Sequence, residues 1–392
     1  LKTPFAMAAT HADVMFNEAH ATWGYEVLEA MQKNDFELLV QVGGQMADTK
    51  REQEALILLR RACELRPDHV DAGVHYTIAS LSNDDQECIQ HAQRFVEIRP
   101  DDCYAWLMLG NFHYYNGDAE AAFTAYHNGH VVEPSEYRLI VSCCRMLSNL
   151  GRDTEADEMA AAGTASGALH DPWQRPPHLV RGLSAHAWWD DVRSWRVGRV
   201  LEANFDTIRK EIMAAVENGD VLRKGTQDTE DLAKSGQWTE LNLIFQGVTD
   251  MDNSKLCPKT AELIEKELPE VASMVRGAVK VSVLTPGTVI RPHHGPSNTR
   301  MRTHLGISIP DGAYIRAGDP LNPGNVRQWQ EGRVLCFDDS FRHEVWHHGS
   351  APRVALIADV WHPDMDHHAR LKACESKRHE QVYTARYIAG KE

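Results

Sequence analysis

Three prolines, Pro67, Pro100 and Pro134, recur at separations of 33 and 34 residues. Each closes an apolar helical stretch through a short polar lead: Leu65-Arg66-Pro67-Asp68, Ile98-Arg99-Pro100-Asp101 and Val132-Glu133-Pro134-Ser135. A period of this length accommodates two helices and their turns. One such pair cannot bury its apolar face alone, so consecutive pairs must stack as a solenoid. The clearest unit runs from Cys103 to Pro134, with Trp106, Leu109 and Gly110 on a first helix and Ala122 and Tyr126 on a second. Asn116-Gly117-Asp118 supplies the turn between them, and the proline ends the second helix.

This unit resembles the tetratricopeptide repeat, in which large residues fill the groove between paired helices and small ones let the helices approach. Flanking helices around 16–45 and 136–162 read as degenerate or capping units. The repeat domain is expected over 1–165. A linker is expected over 166–180, beginning in Gly163-Thr164-Ala165-Ser166-Gly167 and running through the Pro- and Trp-rich stretch Asp171 to Pro177. A concave repeat surface suits a peptide or protein. It equally suits packing against a second domain or a second copy, because repeats specify a surface and not its ligand.

The remaining residues of this 392-residue chain change pattern. Leu201, Phe205, Ile208, Ile212 and Val216 form one expected amphipathic helix that covers a sheet. Short strands then follow, punctuated by turns: Val279 to Val283, the Pro286-Gly287 turn, Thr303 to Ile309, Val334 to Phe337 and Val354 to Val360. The expected fold class is therefore multidomain α + β. An all-α repeat solenoid precedes a double-stranded β-helix, or jelly-roll/cupin, domain with covering helices over 181–392, the last part being a C-terminal extension.

Within the strand region lie Arg291-Pro292-His293-His294-Gly295-Pro296 and Phe337-Asp338-Asp339-Ser340-Phe341-Arg342-His343-Glu344-Val345-Trp346. Opposite strands of a jelly roll can bring His293 and His343 together, and neutral imidazoles suit a divalent first-row metal, ferrous iron included. Arg353, ten residues beyond His343, can point into the same barrel. Its planar fork suits the distal carboxylate of a dicarboxylate. This order matches enzymes that use iron and 2-oxoglutarate. His294, His347, His348, His362, His367 and His368 lack such support and read as structural or solvated, while Trp188, Trp189 and Trp361 read as core packing.

The whole region from about 170 to 365 resembles the aspartyl/asparaginyl β-hydroxylases. The likeness rests on Pro286-Gly287-Thr288, Pro292-His293, Gly295-Pro296, Asn298, Arg300, Arg302, His304-Leu305-Gly306 and Ile309-Pro310. It continues through Phe337-Asp338-Asp339-Ser340-Phe341, His343-Glu344-Val345-Trp346, Arg353 and Asp359-Val360-Trp361-His362-Pro363, with Trp188-Trp189, Gly236 and Trp238 upstream. Animal members also place tetratricopeptide-type helices before the catalytic domain.

The resemblance implies an iron site of His293 and His343. It implies that Arg353 and Ser282 hold the distal carboxylate of 2-oxoglutarate, with His304 near its other end and Trp238 lining the pocket. Arg300 and Arg302, which alternate along a strand and share a face, would meet the carboxylate or carboxamide of the substrate. The carboxylate of the usual iron triad is absent, because position 295 is glycine. An iron site is thereby left to water, with Asp339 as the acceptor that holds it. An aspartate placed at 295 is expected to supply the missing ligand.

The expected activity is hydroxylation of an aspartyl or asparaginyl β-carbon in a peptide or protein, with Fe(II), 2-oxoglutarate and O2 consumed together and succinate and CO2 released. The repeat groove is the expected holder of that polypeptide. Two alternatives stay open: a related hydroxylase or halogenase acting on a free amino acid or other small molecule, and a non-catalytic repeat adaptor with an inactive barrel. The formal charge of −15 argues against nucleic acid or an anionic membrane as partner, and no apolar run is long enough to span a bilayer. The eight cysteines show no CxxC pair, and the loop where animal members carry a cysteine pair offers only Cys257. A reducing, cytoplasmic setting is expected, and a disulfide-bonded substrate is not.

Overall fold

In the computed structural model, Asp102 caps helix Cys103–Tyr115 by accepting the Tyr104 amide at 2.9 Å. Asp118 caps Ala119–Val132 by accepting the Ala121 amide at 3.0 Å. Between them Gly117 adopts φ +79°, a conformation glycine reaches at no steric cost. The two helices approach closely because Gly110 has no side chain: a Cβ there would lie 2.3 Å from the Tyr126 ring. Tyr126 is fully buried, and its hydroxyl donates to Asn111 at 2.8 Å. Trp106 closes the start of the unit by donating its Nε1–H to the Pro100 carbonyl at 2.8 Å. The large-into-small pattern of the repeat is thus a packing requirement.

The structure describes residues 31–48, 52–67, 69, 72, 73, 75, 76, 87–228 and 231–374. The part of the expected first helix before residue 31, Asp68 and the extension beyond 374 lie outside them. Within the described residues, helices Phe36–Asp48, Glu52–Leu65 and Glu87–Ile98 precede the pair above, and Tyr137–Asn149 and Asp153–Ala165 follow it. Leu39, Leu58, Leu59, Ala105 and Phe112 belong to one core shared by the helices from Phe36–Asp48 to Ala119–Val132. No described helix is long and apolar enough to cross a membrane.

The described residues divide into two compact units between Ala156 and Asp157. The stretch 166–180, expected as a linker, belongs to the second unit. There Gln174 and Arg175 are buried and Gln174 forms a β-bridge with Phe341.

Twelve described strands build the second unit. They are β1 Thr226–Gln227, β2 Ala233–Ser235, β3 Trp238–Phe245, β4 Val248–Thr249, β5 Ala278–Leu284, β6 Val289–His293, β7 Arg300–Ser308, β8 Ala313–Ala317, β9 Val326–Gln328, β10 Val334–Phe337, β11 His343–His347 and β12 Arg353–Trp361. One sheet runs β1-β3-β5-β12-β7-β10 with β4 paired to β3, and the other runs β2-β6-β11-β8-β9. All pairings are antiparallel.

Each expected strand is present. The expected amphipathic helix is instead two, Arg196–Ala203 and Phe205–Glu217. Asn204 breaks it at φ −107°, ψ 15°, and its side chain donates back to the Val200 carbonyl at 2.8 Å. Local side-chain bonding of this kind competes with helix continuation. Leu201, Ile208 and Ile212 nevertheless pack into one core with Val281, Leu305 and Leu356, so the pair covers the larger sheet as expected. A second core joins Leu284 and Phe337 of that sheet to Ile290, Ile315 and Val345 of the other.

Candidate active site

β6 and β11 are neighbours, and their register sets His293 directly opposite His343. Side chains of directly opposed residues leave a sheet on the same face. The two imidazole rings accordingly lie 4.0 Å apart, centroid to centroid. Each ring is fixed by its own strand: Nδ1 of His293 lies 2.9 Å from the Arg291 carbonyl, and Nδ1 of His343 lies 2.9 Å from the Phe341 carbonyl. A carbonyl only accepts, so both Nδ1 atoms carry hydrogen and both lone pairs sit on Nε2, the arrangement metal-binding histidines use. Burial and the neighbouring His293 push the proton affinity of His343 well below the ordinary imidazole range, which keeps that lone pair uncharged.

A second group of polar side chains has unused hydrogens. Arg353 is 2% exposed and lies over the Trp329 ring at 4.7 Å. One terminal nitrogen donates to the Ser282 carbonyl at 3.3 Å and to Ser282 Oγ at 3.4 Å, while Nε has no hydrogen-bond partner among the described residues. No carboxylate lies within ion-pairing distance of it among those residues, and burial pushes the guanidinium down to about 9. Ser282 Oγ also accepts from Trp238 Nε1 at 3.1 Å, which leaves its own hydrogen to donate. His304 accepts from Trp329 Nε1 at 3.0 Å through Nδ1, so its hydrogen is on Nε2, a buried atom without a partner. Burial, then the Arg353 charge, pushes His304 well below the imidazole range.

Buried polar groups are almost always satisfied. Two buried donors without a partner among the described residues, Arg353 Nε and His304 Nε2, together with the Ser282 hydroxyl could serve a carboxylate. Phe337 links this group to the imidazole pair, its ring 5.3 Å from His304 and 5.2 Å from His343.

Arg300 and Arg302 behave differently from expectation. Arg300 donates to Asp339 Oδ2 at 2.7 Å and to the Arg276 carbonyl at 2.8 Å. Arg302 grips Asp359 through Nε at 2.9 Å and a terminal nitrogen at 3.2 Å, and approaches Asp339 at 3.3 Å. Two guanidiniums thus balance two fully buried carboxylates. The cations expected to face a substrate acid are already neutralised by the protein. Burial works to raise the Asp339 carboxyl, but Arg300 and then Arg302 outweigh it and hold that group well below the carboxylate range.

Asp339 also corrects the reading of Gly295. The Gly295 amide donates to the Asp339 carbonyl at 2.6 Å, and a Cβ on Gly295 would lie 2.5 Å from the carboxylate carbon of Asp339. The space vacated by the missing triad carboxylate is filled by another carboxylate, from a different strand end. An aspartate at 295 has no room.

The loop carrying Asp339 is held by residues the sequence reading passed over. Gln174 donates to Asp338 Oδ2 at 3.0 Å and to Ser340 Oγ at 3.1 Å, and the Arg342 amide donates to the Trp173 carbonyl at 2.7 Å. Asp338 is fully buried, which pushes its carboxyl up to about 7. The other histidines are structural where described in detail: His347 Nε2 bonds the Ala351 carbonyl at 2.7 Å and His362 Nε2 the Ser184 carbonyl at 2.9 Å. Trp188 packs on Phe337, and Trp189 on Trp195 and His362.

Two antiparallel sheets thus bring a pair of strand-opposed imidazoles and a group of buried donors into one unit. Residues 202–363 match the family model described as aspartyl/asparaginyl beta-hydroxylase. The likeness lies within the second unit of this chain. Human aspartyl/asparaginyl beta-hydroxylase is 38% identical over 214 residues, 54% of this chain and 27% of that protein. Aspartate beta-hydroxylase domain-containing protein 2 of Xenopus tropicalis is 40% identical over 171 residues, 42% of this chain and 44% of that protein. The chain therefore spans less than half the length of these relatives. A solved tetratricopeptide protein of Thermus thermophilus aligns with 33% of this chain and 73% of its own, at 17% identity and a TM-score of 0.28, too low to define a fold.

Proposed function

We propose that this chain is an iron(II)- and 2-oxoglutarate-dependent dioxygenase that hydroxylates the β-carbon of an aspartyl or asparaginyl residue in a peptide or protein. One observation carries the reading: two strand-opposed imidazoles with fixed tautomers stand beside a buried, unpaired guanidinium whose neighbours have unused donors. Unpaired buried donors are costly in a merely structural barrel. The family match and the human relative's name support the hydroxylase class.

His293 and His343 would hold the iron, and neutral imidazole is a suitable donor for it. Iron bound there supplies dioxygen activation, coupled to oxidative decarboxylation of 2-oxoglutarate to succinate and CO2, one oxygen atom going to the acid and one to the substrate C–H. The chain's own residues do the positioning. Arg353 and Ser282 bind the distal carboxylate of 2-oxoglutarate, Trp238 fixes Ser282, and the His304 Nε2–H is a further donor for an acid oxygen. Trp329 and Phe337 wall the pocket with apolar surface, which strengthens these charged hydrogen bonds by excluding water. Asp339, held as a carboxylate by Arg300 and Arg302, stands beside the glycine that lacks the usual ligand. With a metal bound, Asp339 would be the acceptor for a water standing where the usual ligand is absent.

The repeat unit is the part of the chain suited to a polypeptide, and we read it as the holder of the protein substrate. The buried thiols of Cys63, Cys143, Cys257 and Cys336, none in a disulfide, support a reducing, cytoplasmic setting. The test is 2-oxoglutarate turnover against a panel of Asp- and Asn-containing peptides and free amino acids. Succinate formation coupled to the gain of one oxygen atom on a peptide is expected. Coupled turnover with the free amino acids and none with peptides would overturn the substrate class.

A further inference from the structure

Across β3 and β5, Glu240 lies directly opposite Ser282, the residue that anchors Arg353. Its carboxylate is paired with Lys280, both oxygens 2.7 Å from Nζ, and the side chains are only 20% and 12% exposed. Glu240, Asn242, Lys280 and Ser282 form a cluster on neighbouring strands, while Leu241 and Val281, one residue out of step, sit in the core under the covering helices. The Glu240 carboxylate therefore belongs with the acid cradle.

Charge accounting shows what it does there. Arg300 and Arg302 are matched by Asp339 and Asp359, and Lys280 is matched by Glu240. Arg353 alone is left as a cation without an ion-pair partner among these buried groups. Glu240 is also the carboxylate whose field bears on Arg353, and it bears on Arg302 as well. A ligand with two carboxylates entering this interior meets one unmatched guanidinium and one resident carboxylate a strand away.

We propose that Glu240 is a specificity-determining residue that sets the affinity of the pocket for its dicarboxylate: it matches the Lys280 charge and so holds dianion binding below what the cradle would otherwise reach. The proposal rests on the 2-oxoglutarate reading of the Arg353 cradle. Like charges held several ångströms apart in a partly buried site interact strongly, so removing one acts on affinity directly. Glu240→Gln keeps the shape and removes the charge, and Lys280→Met changes the balance in the opposite direction.

The experiment is calorimetric titration of 2-oxoglutarate into the full chain loaded with manganese(II), which binds the acid without turnover. Parent, Glu240→Gln, Lys280→Met and Arg353→Ala are compared, each checked for an unaltered far-ultraviolet circular dichroism spectrum. Glu240→Gln is expected to bind about tenfold tighter than the parent and Lys280→Met more weakly. A parent that binds and an Arg353→Ala variant that does not, with Glu240→Gln unchanged or weaker, overturns this proposal and leaves the oxygenase reading standing. A parent that does not bind 2-oxoglutarate overturns both. Should Glu240→Gln misfold, the selectivity of Lys280→Met decides: loss of preference for 2-oxoglutarate over pyruvate supports the charge balance, and an unchanged preference overturns it.

Discussion

Gly295 has no side chain where Asp339 has one: a Cβ on the glycine would lie 2.5 Å from both the carboxylate carbon and Oδ2 of the aspartate. The absent triad ligand and the buried carboxylate are therefore two sides of one packing solution. Whatever stands at 295 must leave Asp339 its place between Arg300 and Arg302.

Gly295→Asp is accordingly expected to weaken metal binding, because the new side chain displaces Asp339 and its ion pairs. Overpacking of this kind destabilises by roughly 1–3 kcal/mol. The double variant Gly295→Asp/Asp339→Gly vacates the space and should recover metal affinity relative to Gly295→Asp. Manganese(II) titration followed by electron paramagnetic resonance measures both. Tighter metal binding by Gly295→Asp alone would show that the carboxylate fits after all.

Arg353 separates stability from binding. It is a buried guanidinium without an ion pair among the described residues, and burial pushes it down to about 9. Replacing such a group by an apolar one of similar length relieves its desolvation. Arg353→Met should keep or raise Tm while losing the rise in Tm that 2-oxoglutarate gives the metal-loaded parent. A structural role for the arginine predicts the reverse, a lowered Tm with the ligand-induced rise intact, and differential scanning fluorimetry distinguishes the two.

Asp338 makes stability depend on pH in a known direction. Burial raises its carboxyl from the ordinary range to about 7, so the folded chain keeps a proton that the unfolded chain releases near pH 4. Stability from this group is complete below the unfolded value and is lost as pH rises toward about 7. Asp338→Asn abolishes that loss, so the Tm of the variant relative to the parent should rise steadily between about pH 4 and 7 and level off above. A constant offset across that range would mean that Asp338 is ionised in the folded chain throughout.

In the helical unit, Gly110→Ala drives a methyl into the Tyr126 ring at 2.3 Å. It should lower stability by about 1–3 kcal/mol, as overpacking does. Gly117→Ala acts instead through backbone strain at φ +79° and meets open space. Its effect should be smaller, on the order of 1 kcal/mol. Urea titrations of the two variants rank them, and an equal or inverted order would contradict the packing account of the repeat.

Much of this was legible in the sequence, for physical reasons that also explain the gaps. Gly110 and Tyr126 announce a close helix pair because only a small residue admits a ring at that distance. His293 and His343 are legible as a pair because both sit in strand-forming runs. β3 was passed over. Its half-buried residues Trp238, Glu240 and Asn242 are polar or amphipathic, while Leu241 and Leu243 pack in the core with the covering helices, so the strand lacks the usual apolar run. Arg300 and Arg302 were rightly placed on one face, but their partners Asp339 and Asp359 lie 39 and 57 residues along the chain, and only cross-strand register brings them together. Gln174 gave no signal, since a polar residue in the stretch Pro172-Trp173-Gln174-Arg175-Pro176-Pro177 reads as a linker until its buried bond to Asp338 is seen.

The central claim is that His293, His343 and Arg353 serve one metal and one keto acid. Anaerobic addition of iron(II) and 2-oxoglutarate to the full chain tests it, by the visible charge-transfer absorption that appears when a 2-keto acid chelates ferrous iron. The band should form in the parent, be absent in His343→Ala, and require much higher 2-oxoglutarate in Arg353→Ala. A parent without the band, or a His343→Ala variant that keeps it unaltered, would contradict the account.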